Sequence, residues 1–85
     1  MTYRIEFTRR AARDLERLDR RARLRIVEAV AGLGIDPSPA GVKKLKGEDN
    51  AWRIRVGDYR VIYEIHDNSV LIVVFRLGHR RDIYT

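Results

Sequence analysis

Cysteine is absent from this 85-residue chain. That excludes disulfides and thiolate metal sites and fits a reducing compartment. Proline occurs twice, both times inside GIDPSPAG (34–41), so nothing else in the chain carries a proline break. No apolar run approaches the ~20 residues that a membrane-spanning helix needs, and the longest is the stretch around VLIVVF (70–75). The N-terminal MTYRIEFTRR lacks the apolar core of a signal peptide and reads as a strand. A soluble cytoplasmic protein, with no membrane partner, is the expectation.

Acidic residues are also scarce. Twelve Asp and Glu face 18 Lys and Arg, which leaves a net charge of +6. Such a surplus points to a polyanionic partner, nucleic acid or an acidic protein. Length confines the chain to one domain, 1–85, with a single modest core.

What is present is regular. YRIEF (3–7) alternates apolar and polar residues, the period of a strand. Ala11, Leu15, Leu18, Ala22, Ile26, Ala29 and Leu33 then keep helical spacing. One unbroken helix would outrun the width of a small domain. A break near Asp19 is therefore expected, with Thr8 and Asp19 as N-caps and Gly34 ending the second helix. Local pairs of Glu16 with Arg20 and Asp14 with Arg17 are open to the helical arginines. AWRIRV (51–56), YRVIYEIH (59–66) and VLIVVFRL (70–77) supply three more strands. The order β-α-α-β-β-β specifies an α+β domain, an antiparallel twisted sheet with two helices on one face.

Gly57-Asp58 makes a two-residue hairpin, which sets Val56 opposite Tyr59 and Arg55 opposite Arg60. Trp52, Ile54 and Val56 then join Tyr59, Val61 and Tyr63 on the core face. Arg53, Arg55 and Arg60 share the other. Placing Leu71, Val73, Phe75 and Leu77 toward the helices brings Arg76 onto that face too, since a lone guanidinium in the core is costly. Like charges directly opposed on a sheet are destabilising, and Glu64 alone does not offset four arginines, even with Glu48 and Asp49 near in sequence. The patch is expected to bind an anion.

The order of elements, the segment WRIRVGDYRVIYEI and the tail GHRRDIY together resemble RelE-type toxins of bacterial and archaeal toxin–antitoxin systems, over essentially the whole chain. That resemblance implies the RelE/ParE-like microbial RNase fold and an endoribonuclease that cuts mRNA in the ribosomal A site. It also implies a cognate antitoxin that wraps and blocks the toxin, and it leaves room for operator-DNA binding by the complex. By position, the functional residues of the family fall on Arg53 and Arg55, Arg60, Arg80 and Tyr84. The chain departs from the family in carrying arginines where some members have lysines, His79 where lysine is common, and a compressed tail.

The chemistry needs no cofactor, and no Asp/Glu/His cluster suggests a metal site. RNA brings its own nucleophile, the 2′-hydroxyl. Cutting then requires a base for that hydroxyl, cations for charge developing on the phosphate, and an acid for the leaving 5′-oxygen. Arg53, Arg55 and Arg60 suit the phosphate, with Arg76 and Arg81 as further phosphate contacts. Tyr84 is a candidate base, because neighbouring arginines favour its phenolate. Arg80 would steady the leaving group, and His79 suits either proton-transfer role. His66, Trp52, Tyr59 and Tyr63 read as structural. The rival readings are a ParE-like gyrase inhibitor, which shares the fold and the GDYR segment, and a plain basic nucleic-acid-binding module.

Overall fold

A computed structural model of the chain describes residues 2–39, 41–45 and 50–83; Glu48, Asp49 and Tyr84, named above, lie outside the described residues. Along the chain run β1 (Arg4–Phe7), α1 (Arg9–Glu16), α2 (Arg20–Ile35), β2 (Lys43–Lys44), β3 (Ala51–Val56), β4 (Tyr59–His66), a 3-10 turn (Asp67–Ser69) and β5 (Leu71–His79). They form one five-stranded sheet in the order β1-β5-β4-β3-β2. The strands β2 to β5 are antiparallel neighbours, with β3, β4 and β5 as expected and β2 an additional short edge strand beyond the expected four, whereas β1 joins β5 in parallel. Parallel pairing requires a long crossover, and α1 and α2 supply it. The result is a mixed twisted sheet with both helices packed on one face.

Both helix starts follow the capping residues. Thr8 Oγ1 accepts the N–H of Ala11 at 3.1 Å, and Asp19 Oδ1 accepts that of Ala22 at 2.8 Å. Since the chain breaks between Glu16 and Arg20, these two share no helix. Asp14 pairs with Arg10, one turn earlier, in place of Arg17. Gly34 does not end α2, which continues to Ile35. Its carbonyl accepts the N–H of Tyr3 at 2.7 Å, and a Cβ there would stand 3.1 Å from the Tyr3 carbonyl oxygen. Glycine lets β1 approach the helix at that point.

Ala11 of α1 and Ile26, Val30 and Leu33 of α2 close over Ile54, Val61, Tyr63, Ile65, Ile72, Val74 and Leu77. The β5 residues differ from the expected set. Ile72 and Val74 face the helices, while Leu71, Val73 and Phe75 are only partly buried. A bulge shifts the β4–β5 register between Ile62 and Tyr63, so that Tyr63 meets Val74 but Ile62 meets Arg76. One extra residue changes the phase of the strand. The bulge thus places Ile72 and Val74 in the core and still leaves Arg76 on the opposite face. No sequence alternation distinguishes such a strand from a regular one.

The bulge also frees the backbone N–H of Leu77, and the Asp14 carboxylate takes it at 3.2 Å. Asp14 is 9 % exposed, and its other oxygen lies 3.3 Å from Arg10 Nε. Helix α1 is therefore pinned to the irregular part of β5 by a charged group with two partners, which lowers the cost of burying it.

A basic outer face and its tail

The hairpin of β3 and β4 sets Val56 opposite Tyr59 and Arg55 opposite Arg60, as its two-residue linker dictates. Gly57 has φ 62°, the left-handed value that a II′-type connection places on its first residue. Partners across an antiparallel pair share a face. Arg53 with Ile62, Arg55 with Arg60, Ile62 with Arg76 and Arg60 with Gly78 therefore define one outer surface. Glu64 sits at its far end opposite Ala51 and Val73, with its carboxylate 3.0 Å from His66 Nε2. It does not neutralise the arginines in the middle.

Their environments differ. Arg55 is exposed and Arg60 half-buried, whereas Arg53 is 7 % exposed. Burial depresses the pKa of Arg53, and the positive charges of Arg60 and Arg55 depress it further. Three guanidinium groups thus act on one another at close range, an arrangement that an anion relieves and that forked donors suit. The Nε atoms of Arg60 and Arg76 are buried and have no hydrogen-bond partner among the described residues. A buried donor left unpaired costs on the order of 1–3 kcal/mol. A cavity of 540 Å³ opens beside the patch, between Ala29 and Leu33 of α2 and Lys43, Arg53 and Arg55 of the sheet.

The tail folds back over this face. Arg80 N–H donates to the Asp58 carbonyl at 2.8 Å, Asp82 N–H to the His79 carbonyl at 2.8 Å, and Arg81 N–H to His79 Nδ1 at 3.2 Å. Ile83 ends the described tail 2 % exposed, and Arg60 Nη1 donates to its carbonyl at 3.3 Å. A Cβ on Gly78 would stand 3.2 Å from Ile83 Cδ1, so glycine leaves the room that Ile83 uses. Arg80 and Arg81 are exposed, and the ring of His79 meets Tyr59 edge-on at 5.6 Å. The expected site residues Arg53, Arg55, Arg60 and Arg76 thus share one face, whereas His79, the register partner of Tyr59, belongs to the helix-packed side at the end of β5.

The aromatic residues of β3 and β4 are structural. Tyr63 is fully buried and donates to the Pro37 carbonyl at 2.7 Å. Burial and the negative charge of Asp36 raise its pKa to about 12. Trp52 and Tyr59 pack against the core. Two contributors had escaped the sequence reading. Asp14 lies in helical phase with Ala11 and Leu18, a signal that an acid would be drawn into the core. Ile83 carried no such signal, because a lone apolar residue near a terminus has no period.

No group of three or more His, Cys, Asp or Glu among the described residues is arranged to hold a metal ion. No helix among them is long and apolar enough to cross a membrane.

Comparison with known proteins agrees with this geometry. The family model described as the ParE toxin of type II toxin–antitoxin system, parDE, matches residues 5–84. Toxin RelG of Mycobacterium tuberculosis is 35 % identical over 85 residues, covering 99 % of this chain and 98 % of the relative. The RelBE2 toxin–antitoxin complex from the same organism contains a chain that superposes with a TM-score of 0.84 at 33 % identity, covering 94 % of this chain and 100 % of that one. In the archaeal RelE–RelB complex from Pyrococcus horikoshii the TM-score is 0.82 at 32 % identity, over 94 % and 97 %. The hairpin that sets arginine against arginine, the tail folded across it and these likenesses agree: the chain belongs to the RelE/ParE family of type II toxin–antitoxin toxins and is of the RelE type.

Proposed function

We propose that this toxin is a ribosome-dependent endoribonuclease that cuts mRNA in the A site and so stops translation. The observation that carries the reading is Arg55 directly opposite Arg60, with the buried Arg53 beside them. A folded protein maintains that repulsion at a cost, and a scissile phosphate, whose charge grows in the transition state, turns the cost into catalysis.

In this mechanism the RNA 2′-oxygen attacks the adjacent phosphorus as its proton passes to a base. The P–O5′ bond breaks, leaving a 2′,3′-cyclic phosphate on one fragment and, once the oxygen is protonated, a 5′-hydroxyl on the other. Arg53, Arg55 and Arg60 hold the phosphate oxygens. Arg80 steadies the leaving oxygen as a permanent cation, since guanidinium hardly gives up its proton. Tyr84 and His79 are the candidates for proton transfer. Tyr84 is a candidate through the likeness of the GHRRDIY tail to RelE-type toxins. His79 Nδ1 is engaged by Arg81 N–H, which assigns the exchangeable proton of a neutral ring to Nε2.

The solved relatives named above are complexes with RelB antitoxins. By the same reasoning this chain acts in the cytoplasm and is held inactive by a cognate antitoxin that covers its basic face, in a complex that binds operator DNA. The family model's ParE description supports a second reading, inhibition of DNA gyrase by binding alone. Primer extension separates them: mRNA on 70S ribosomes with an empty A site, beside the same mRNA free in solution. A discrete cut only on the ribosome is the expected result. Growth arrest by a folded protein that cuts neither would replace the nuclease with the inhibitor.

A further inference from the structure

Helix α1, the far half of β5 and the tail enclose a cavity of 290 Å³, and of its charged lining the reaction above draws only on His79. Arg10 and Arg17 line it from the helix, and Arg76, His79 and Arg81 from the strand and tail. Two acids also reach it, Asp14 and Asp82. Asp14 is already engaged by Arg10 and by the N–H of Leu77. Four arginines against two aspartates leave the walls positive. One of those arginines, Arg76, buries an Nε that has no partner among the described residues. His79, with Nδ1 occupied by Arg81 N–H, has Nε2–H as its remaining donor.

The cavity adjoins the Arg60 site. Gly78 lines it and pairs with Arg60 across the sheet. Ile83 also lines it, and its carbonyl accepts from Arg60 Nη1. A chain of phosphates crossing the outer face at Arg60 therefore meets a second set of guanidinium groups just beyond Ile83. Several forked donors around a volume larger than one carboxylate favour a sugar-phosphate over an acidic side chain.

We propose that this cavity is a second phosphate-binding pocket, in which Arg10, Arg17, Arg76 and Arg81 hold a backbone phosphate of the RNA strand neighbouring the one at Arg60. The inference rests on the reading of the outer face as an RNA-cutting site. It gives the helical arginines Arg10 and Arg17 a role that their dispersed spacing in the sequence did not suggest.

The test is fluorescence anisotropy with a short single-stranded 2′-O-methyl RNA, which the mechanism above does not cut, titrated over a range of salt. Wild type is compared with Arg17→Gln/Arg81→Gln and with Arg17→Lys/Arg81→Lys, all checked for folding by circular dichroism. Both positions are exposed, so the fold should survive. Losing one phosphate contact should lower the slope of log K against log salt by about 0.7, and the lysine pair should restore most of it. An unchanged slope in the glutamine pair, with wild type binding normally, overturns the pocket and leaves the outer-face reading standing. Wild type that shows no affinity for the oligonucleotide overturns the pocket, while the ribosome-dependent reading is decided separately by the primer extension above. Weakened poly-glutamate binding in the glutamine pair, with RNA binding untouched, would make the cavity a contact for an acidic protein and so overturn the proposal.

Discussion

Arg60 Nη1 donates to the carbonyl of Ile83 at 3.3 Å, across 23 residues of sequence. An arginine of the basic outer face is thereby tied to the backbone of a tail that sequence alone would leave solvated. The same Arg60 opposes Arg55, so its side chain meets both a repelling cation and an attracting dipole.

Arg60→Ala should therefore slow cutting on the ribosome by about 10²–10³-fold, the usual loss when one donor to a developing oxyanion is removed. Its circular dichroism spectrum should match wild type, because the residue is only half-buried. Single-turnover cleavage with saturating toxin is the measurement. A mutant that fails to fold would make Arg60 a structural residue.

Ile83→Ala removes the apolar anchor of the tail while leaving its carbonyl in place. The expected result is a small change in melting temperature, because a terminal segment undocks without unfolding the sheet, but at least a tenfold loss in cutting rate with ribosome binding preserved. Gly78→Val should do the same from the other side, since even a Cβ there stands 3.2 Å from Ile83 Cδ1. Cutting at the wild-type rate by both variants would show that the docked tail is dispensable.

Asp14→Ala leaves the buried N–H of Leu77 without its acceptor and Arg10 without its partner. We expect about 2 kcal/mol of destabilisation in urea unfolding. Asp14→Asn, which retains an acceptor oxygen, should lose less.

Val70 adopts φ 49° and ψ 51°, left-handed values that are a genuine outlier for a β-branched side chain. Its carbonyl accepts the N–H of Arg4 at 2.9 Å, which holds the conformation in place at the start of the β1–β5 pairing. Val70→Asn should raise stability by about 1 kcal/mol through relief of that strain. A lower urea midpoint would show that the packing of Val70 outweighs its backbone cost.

Tyr63 gives a pH prediction. Its folded pKa of about 12 lies above the ordinary 10.0, so in alkali the unfolded chain loses this proton first. The contribution is fully present below pH 10 and is lost as pH rises toward 12. Urea midpoints measured from pH 9 to 12 should fall in wild type and fall less in Tyr63→Phe.

Much of the fold was legible because it follows from local rules. Thr8 and Asp19 cap helices where a side-chain oxygen precedes an apolar period, and Gly57-Asp58 leaves the β3–β4 register no freedom. With that register came the opposed pair Arg55 and Arg60, the center of the candidate site. The β5 face was misread at Leu71, Val73 and Phe75, since a bulge depends on what the neighbouring strand and helix accept. Asp14 supplies that acceptance, 63 residues away from Leu77.

By itself, then, the order of residues determined the elements, the core face of β3 and β4 and the clustering of arginines opposite it, all through contacts a few residues apart or through a tight turn. The parallel docking of β1, the phase change in β5, the return of the tail to Arg60 and the union of Arg10 and Arg17 with Arg76 were decided by tertiary structure. Each joins groups distant in sequence, and its free energy exists only after the sheet and helices have packed and excluded water.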